Sequence, residues 1–330
     1  MTGRTGWESS TGKIRLLYSR HLRGAGIELG PGHHPYVITL PLTSVRYVDR
    51  WDPEQNRALF PELGEEAEFP PPDVRANLDA ERLGMFADVS QDFVIASHVF
   101  EHLANPMAML VESHRVLKPG GVLVLLLPDM RLISDAGRPP TTVEHLVQEY
   151  RTDVREVDDA HLLEYVRLVR RYEGDDADKL EELLGAARMR SVHVHCWTEE
   201  SFFPVLEHAV AELGCAFDIL ELAIAGDIPG SKEFGYVLRR PAEPAAPGAE
   251  RERLVQTREL MLRARFAQSE LATRKALHER DRQLALVKSR LARRDAQIDR
   301  IRRLPIFPIY RAGRRLQLRI TGRRADGKPI

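Results

Sequence analysis

Five short pieces between residues 26 and 121 limit what this chain can become. Gly26-Ile27-Glu28-Leu29-Gly30-Pro31-Gly32 comes first, then Tyr47-Val48-Asp49 and Asn77-Leu78-Asp79-Ala80. Asp92-Phe93-Val94-Ile95-Ala96-Ser97 follows, and Leu117-Lys118-Pro119-Gly120-Gly121 closes the series. Each piece ends or follows an apolar run, so its polar and glycine residues fall at a strand tip. Open α/β sheets build their ligand crevices there, at the carboxyl ends of the strands.

The intervening pattern agrees. Ile14 to Leu22 has helical spacing, Ile27–Leu29 reads as a short strand, and Val45–Val48 as another. Asp92–Ala96 and Val122–Leu127 are continuous apolar runs, as expected of parallel strands buried on both faces. Pro106 to Leu117 is helical in period and is stopped by Lys118-Pro119-Gly120-Gly121. After Leu127 the alternation lapses. Thr142–Tyr150, Ala160–Tyr172 and Lys179–Met189 read as polar-faced helices, Thr142 being an N-cap. Residues 131–190 are therefore expected to form a helical lid over the strand tips. Phe202–Leu213 resumes as helix, with Phe217–Leu222 and Glu233–Leu238 as strands. The chain thus divides into a domain at 1–240, a Pro/Ala-rich linker at 241–250, and two C-terminal segments.

The first of these, 251–304, contains no Pro or Gly. Leu277, Leu284, Leu291 and Ile298 recur every seven residues, a coiled-coil seam expected to join copies of the chain. Arg280 and Arg294 interrupt its core positions. The second, 305–330, is a basic tail. Residues 1–250 carry 25 Lys/Arg against 41 Asp/Glu, net −16, and residues 251–330 carry 23 against 8, net +15. Such asymmetry suits an acidic partner or an anionic membrane surface. Nucleic acid is not expected, since no aromatic interleaving accompanies the charge. Two cysteines, Cys196 and Cys215, imply no disulfide framework. With no signal peptide or membrane span visible, the expected location is the cytoplasm, with the tail reaching the inner face of the membrane.

Gly30 and Gly32 permit φ > 0 and close approach of a ligand to the backbone. A dinucleotide fingerprint fails at its third glycine, where Pro35 stands. Asp49, ending a strand 17 residues after Gly32, is placed to accept hydrogen bonds from both hydroxyls of a ribose. The whole series resembles the class I S-adenosylmethionine-dependent methyltransferases, especially the branch with a Glu-His pair after the fourth strand. The resemblance implies a Rossmann-like, seven-stranded, mostly parallel sheet with S-adenosylmethionine as cofactor. It further implies that Glu28, Asp79, Ala80 and Ser97 join Gly30, Gly32 and Asp49 around that cofactor, Asp79 facing the adenine. One departure stands out: residues 33–44, where the first helix belongs, contain Pro35 and Pro41.

If the methyl acceptor is a hydroxyl, a general base is wanted, and His98, Glu101 and His102 are the candidates. Related quinone-pathway O-methyltransferases read Glu-x-x-Glu-His here, with a divalent metal. His98 replaces the first acid, and no metal is expected at these residues. His193 and His195 alternate on one face of an extended segment, as a metal half-site, a pocket wall or a packed strand face. Arg138 and His145 are candidates for the acceptor pocket. The expected function is O-methylation of a glycan or lipid-linked saccharide. The rivals are a small-molecule O-methyltransferase and a non-catalytic scaffold acting through the coil.

Overall fold

In β4 (Gln91–Ser97) every residue from Phe93 to Ala96 is fully buried, and the period-two alternation of a strand sends them to opposite cores. Val94 and Ala96 join one, Phe93 and Ile95 the other. This explains an apolar run without polar alternation. The computed structural model describes residues 10–303 except 37, 39, 229 and 244–248. The basic tail at 305–330 lies outside the described residues.

Seven strands form one sheet: β1 (Gly24–Leu29), β2 (Thr43–Asp49), β3 (Val74–Arg75), β4, β5 (Leu117–Pro128), β6 (Asp218–Ala223) and β7 (Glu233–Arg239). Their order is β3-β2-β1-β4-β5-β7-β6. β1 pairs in parallel with both β2 and β4, and β4 with β5, while β7 runs antiparallel between β5 and β6. The chain leaves β1 outward to β2 and β3, then returns to β4. That reversal is a topological switch point, where a crevice opens beyond the strand ends. The expected class I methyltransferase sheet is therefore present.

The helices are α1 (Ser10–Ser19), α2 (Pro53–Leu59), α3 (Pro106–Val116), α4 (Val143–Arg151), α5 (Asp159–Glu164), α6 (Ala177–Met189), α7 (Glu199–Glu212) and α8 (Ala249–Arg302). Met107 and Leu110 of α3 and Phe202, Phe203 and Leu206 of α7 pack on one face of the sheet. On the other face Ile14, Tyr18, Leu22 and Tyr36 cover Phe93, Ile95, Val124 and Leu126. Between β1 and β2 the described residues form turns and no helix. The departure read at Pro35 and Pro41 is real, and α1 with Tyr36 covers the face that the missing helix would have covered.

The segment expected to form the lid holds α4, α5 and α6; α4 packs through Leu146 into the larger core, while α5 and α6 share a small core of Leu162, Val166, Leu184, Ala187 and Val194. The helix expected over Ala160–Tyr172 is shorter: α5 ends at Glu164 and the next turn, Tyr165–Val169, widens to a π-helix. One element was not expected. α2 begins with a capping box in which Asp52 accepts from Gln55 N and the Gln55 side chain accepts from Asp52 N. β3 is only two residues long.

The chain divides into two compact units, residues 1–262 and 263–330. α8 is one continuous helix of 54 residues. Along it Leu277, Leu284, Leu291 and Ile298 stand 41–55% exposed. No helix among the described residues is long and apolar enough to cross a membrane.

The β1–β4 contact gives a stability prediction. A Cβ on Gly26 would come within 2.4 Å of the Phe93 ring and carbonyl. Overpacking a rigid sheet centre costs about 1–3 kcal/mol or more, so Gly26→Ala should lower the urea midpoint of the full chain clearly. An unchanged midpoint would show that β1 can move off β4.

Candidate active site

Beyond the tips of β1, β2 and β4 lies a cleft of about 260 Å³, with Gly30, Gly32, Asp49, Trp51, Asn77 and Asp79 on its walls. Gly30 and Gly32 have φ of +52° and +53°, the left-handed region that favours glycine. A Cβ on Gly32 would meet no protein atom within 4 Å, so its backbone faces open space for a ligand. Asp49 Oδ1 accepts from Trp51 N at 3.2 Å, which shapes the turn after β2. Asp79 Oδ1 accepts from Ala104 N at 2.7 Å, tying the β3 turn to the segment before α3. Burial raises the pKa of both carboxyls.

The loop after β1 is held from beneath. Both oxygens of the buried Glu28 accept from Tyr36 N, at 2.9 and 3.0 Å. Burial lifts its pKa to about 7, against the Tyr36 hydrogen bonds and the charge of Arg15. Arg15, reaching up from α1, donates to His34 O and, at 2.9 Å, to Ser97 Oγ. Glu28 and Ser97 therefore brace the loop instead of lining the cleft, a correction to the expected cofactor set. Ala80 also lies off the cleft wall, exposed, its carbonyl accepting from Arg155. Gly30, Gly32, Asp49 and Asp79 are on the wall.

A second cleft, of about 450 Å³, shares Arg50, Asn77, Asp79, His102 and Ser191 with the first and runs under the lid. Half of its remaining wall is charged, namely Arg155, Glu156, Asp158, Asp159 and Arg188.

The three candidate catalytic residues separate in role. His98 sits at φ +57°, unusual for a side-chain-bearing residue. Its Nε2 is 2.7 Å from Glu233 Oε2 and its Nδ1 3.3 Å from Glu101 Oε1. Burial works to lower its pKa, but the hydrogen bonds to these two carboxylates prevail and raise it to about 9. At neutral pH His98 is an imidazolium with both nitrogens protonated, which cannot act as a base. Glu101 is fully buried, off the cleft wall, and its carboxyl pKa is lowered despite burial by the neighbouring imidazoles. His102 remains. Burial lowers its pKa against the pull of Glu101, so the ring is neutral, and it lines both clefts. Its Nε2 stands 4.0 Å from Glu101 Oε1.

His193 and His195 part company. His193 Nδ1 meets Asp135 Oδ2 at 2.6 Å and its ring packs edge-on to His102. His195 is buried beside Trp197 and belongs to a different group with His145, Glu149 and His161. Burial drives the His195 pKa down to about 3. Arg138 is not a pocket residue: it is buried, and its guanidinium clamps Asp135, Glu164 and the carbonyls of His193 and Val194. His145 lines a third, smaller cavity in the lid. Arg50, Trp51 and Ser191 were not anticipated in the site. They sit in turns, where no period marks which way a side chain points.

Residues 29–125 match the family model for a methyltransferase domain. No curated protein matches the chain. Among solved structures, the CurJ carbon methyltransferase is 13% identical with a TM-score of 0.40; the match covers 71% of this chain and 56% of that one. This chain therefore spans little more than half of that relative. A SAM-dependent methyltransferase from Methanosarcina mazei is 18% identical, covering 69% and 98%, with a TM-score of 0.36. The 1,6-didemethyltoxoflavin-N1-methyltransferase of Burkholderia thailandensis, solved with S-adenosylhomocysteine, is 13% identical, covering 71% and 79%, with a TM-score of 0.39. The glycine backbone and the Asp49 and Asp79 carboxylates face the cleft where the sequence resemblance expects S-adenosylmethionine.

Two outcomes follow. Asp49→Ala should weaken S-adenosylhomocysteine binding about tenfold or more, for the loss of a charge-assisted bond worth roughly 1.5–3 kcal/mol, while Ser97→Ala changes it little; calorimetric titration of the full chain reads both. His98 makes the second, pH-dependent one. Its folded pKa lies above the unfolded value of ~6.5. Its stabilisation is therefore fully present below about pH 6.5 and is lost as pH rises through about 9. Thermal melts of the wild type should fall across that window more steeply than those of His98→Gln.

Proposed function

We propose that this chain is a class I S-adenosylmethionine-dependent methyltransferase whose acceptor is a hydroxyl of a glycan or lipid-linked saccharide, deprotonated by His102. One observation carries the reading. His102 is the neutral imidazole shared by the cofactor cleft and the polar cleft beside it. When bound, S-adenosylmethionine supplies a sulfonium methyl group, whose transfer to oxygen leaves S-adenosylhomocysteine and releases the acceptor's proton.

The residues of the chain do the rest. Asp49 and Asp79 fix the donor end, and the junction at Asn77, His102 and Ser191 brings the two clefts together. Holding reactants in line can contribute roughly 7–11 kcal/mol. His102 takes up the hydroxyl proton, adding about 10²–10⁴-fold. Glu101, between His98 and His102, favours the imidazolium that forms. The carboxylates and guanidinia of the second cleft suit hydroxyl-rich acceptors, which offer donors and acceptors in quantity. The exposed seam of α8 and the +15 charge of residues 251–330 support self-association and an anionic membrane surface as the setting.

The test is methyl transfer by the full chain to saccharide and glycolipid hydroxyls, with the product bond assigned by mass spectrometry. Methyl ethers are expected, with kcat/KM rising with pH through an apparent pKa below ~6.5. His102→Gln should lower kcat by roughly 10²–10⁴ while retaining S-adenosylhomocysteine binding. Products methylated only at nitrogen or carbon would overturn the acceptor class, and full activity in His102→Gln would overturn the base. Loss of vesicle binding on deleting residues 241–330 would support the lipid-linked acceptor. Undiminished activity of the truncated chain on soluble acceptors, without vesicle binding by the full chain, would favour a small molecule.

A further inference from the structure

The lid contains a second constellation, away from both clefts' shared wall. His145 and Glu149 lie one helical turn apart on α4 and so face the same way. His161 comes from α5, and His195 from the extended segment before α7. His145 Nε2 is 2.9 Å from Glu149 Oε1 and 2.9 Å from His161 Nε2. His161 Nε2 is 3.2 Å from Glu149 Oε1, and His195 Nε2 is 3.5 Å from Glu149 Oε2. One ligand atom from each of the four lies within 4.8 Å of all the others.

Protons alone serve this arrangement badly. Two Nε2 atoms facing each other need a proton on one of them, and that same His145 nitrogen also abuts Glu149. The buried His195 has neither ring nitrogen in a hydrogen bond, and the two Glu149 oxygens also lack partners of hydrogen-bond geometry. Each such buried group left unmet costs about 1–3 kcal/mol. A cation at the centre would take one donor atom from each of the four residues at once. Zinc binds imidazole nitrogen at ~2.0–2.1 Å and carboxylate oxygen at ~2.0–2.2 Å, and a tetrahedron of that radius sets donors about 3.3 Å apart. The four separations, 2.9 to 3.5 Å, straddle that value.

Asp158 adds an independent sign. Its Oδ1 lies 2.7 Å from His161 Nδ1. With Nδ1–H donating there, the lone pair of His161 is on Nε2, the atom turned to the cluster. Carboxylates behind ligating histidines fix the tautomer in this way.

We propose that His145, Glu149, His161 and His195 bind one zinc ion, in a closed four-ligand site that staples α4, α5 and the segment ahead of α7 together. All four positions come from the protein, so the ion leaves no place for a catalytic water and its work is structural. The proposal is independent of the acceptor and the base. It takes up the metal reading left open for His195, without His193, and it lies apart from the Glu-His pair where related enzymes hold a metal.

The full chain, purified without a histidine tag and dialysed, is measured by elemental mass spectrometry. Stoichiometric zinc is expected in the wild type and in Glu101→Gln, and loss of it in His161→Ala and in Glu149→Gln. His145→Ala, at the exposed edge of the cluster, guards against a variant that merely misfolds: it should keep the circular dichroism of the wild type while losing zinc. Asp158→Asn should retain the site but weaken zinc roughly 10–100-fold in competition with a chromogenic chelator. Cobalt(II) added to the chelated chain should give the intense visible bands of tetrahedral coordination. A wild type that neither carries nor takes up zinc would overturn the proposal. So would zinc that persists in the folded His145→Ala and Glu149→Gln variants but is lost in Glu101→Gln.

Discussion

A single buried carboxylate holds the loop on which the cofactor cleft depends. Among the described residues there is no helix between β1 and β2, so the loop from Gly30 to Tyr36 lacks a helix's run of hydrogen bonds. Glu28 replaces them with two bonds to Tyr36 N, and Arg15 adds one to His34 O. Gly30 and Gly32 can present their backbone to a ligand only because that loop stays open over the strand tips. Arg15 also puts positive charge beneath the loop, where a helix amino terminus would have supplied it. The brace comes from α1, which explains why an N-terminal helix packs so closely on the sheet, with Ile14 and Tyr18 almost completely buried.

Around the chemistry, neighbouring imidazoles are driven in opposite directions by what faces them. His98 lies between two carboxylates and is protonated, whereas His102 is farther from Glu101 and is neutral. Divergent titration of adjacent groups is the usual mark of acid and base assignments in an active site. Here His98 neutralises two buried acids that would otherwise repel each other at the end of β4. The left-handed backbone at His98 is part of that arrangement, since it turns the side chain back towards β7 and Glu233.

Much of this was readable from the residues. The strands of the central sheet announced themselves by apolar runs ending in polar or glycine residues, and Asp49, Asp79, Gly30 and Gly32 reached the cleft. Glu28 and Ser97 did not, and strand alternation explains both. Ile27 and Leu29 face the larger core, so Glu28 faces the opposite side; Phe93 and Ile95 face the smaller core, and Ser97 follows them towards α1. The motif gave the residue types, but the pleat decided their direction. β3 is too short to leave a pattern, and Trp51 and Ser191 sit in turns whose directions are fixed only by packing. The lid's histidines were half visible: His145 and Glu149 share a helix face, but His161 and His195 join them only through the tertiary fold.

The lid's separate core has a consequence for how such a chain can change over time. Leu162, Val166, Leu184, Ala187 and Val194 pack chiefly on one another and on partly buried lid neighbours such as Leu180 and Leu183. The first cleft is walled mainly by residues before 105, and the second cleft's charged wall lies mainly between 155 and 188. These two stretches of gene can therefore diversify at different speeds, one held to a common currency and the other free to follow new clients. A lineage could exchange this segment as a cassette and inherit a new clientele while leaving the sheet as it was.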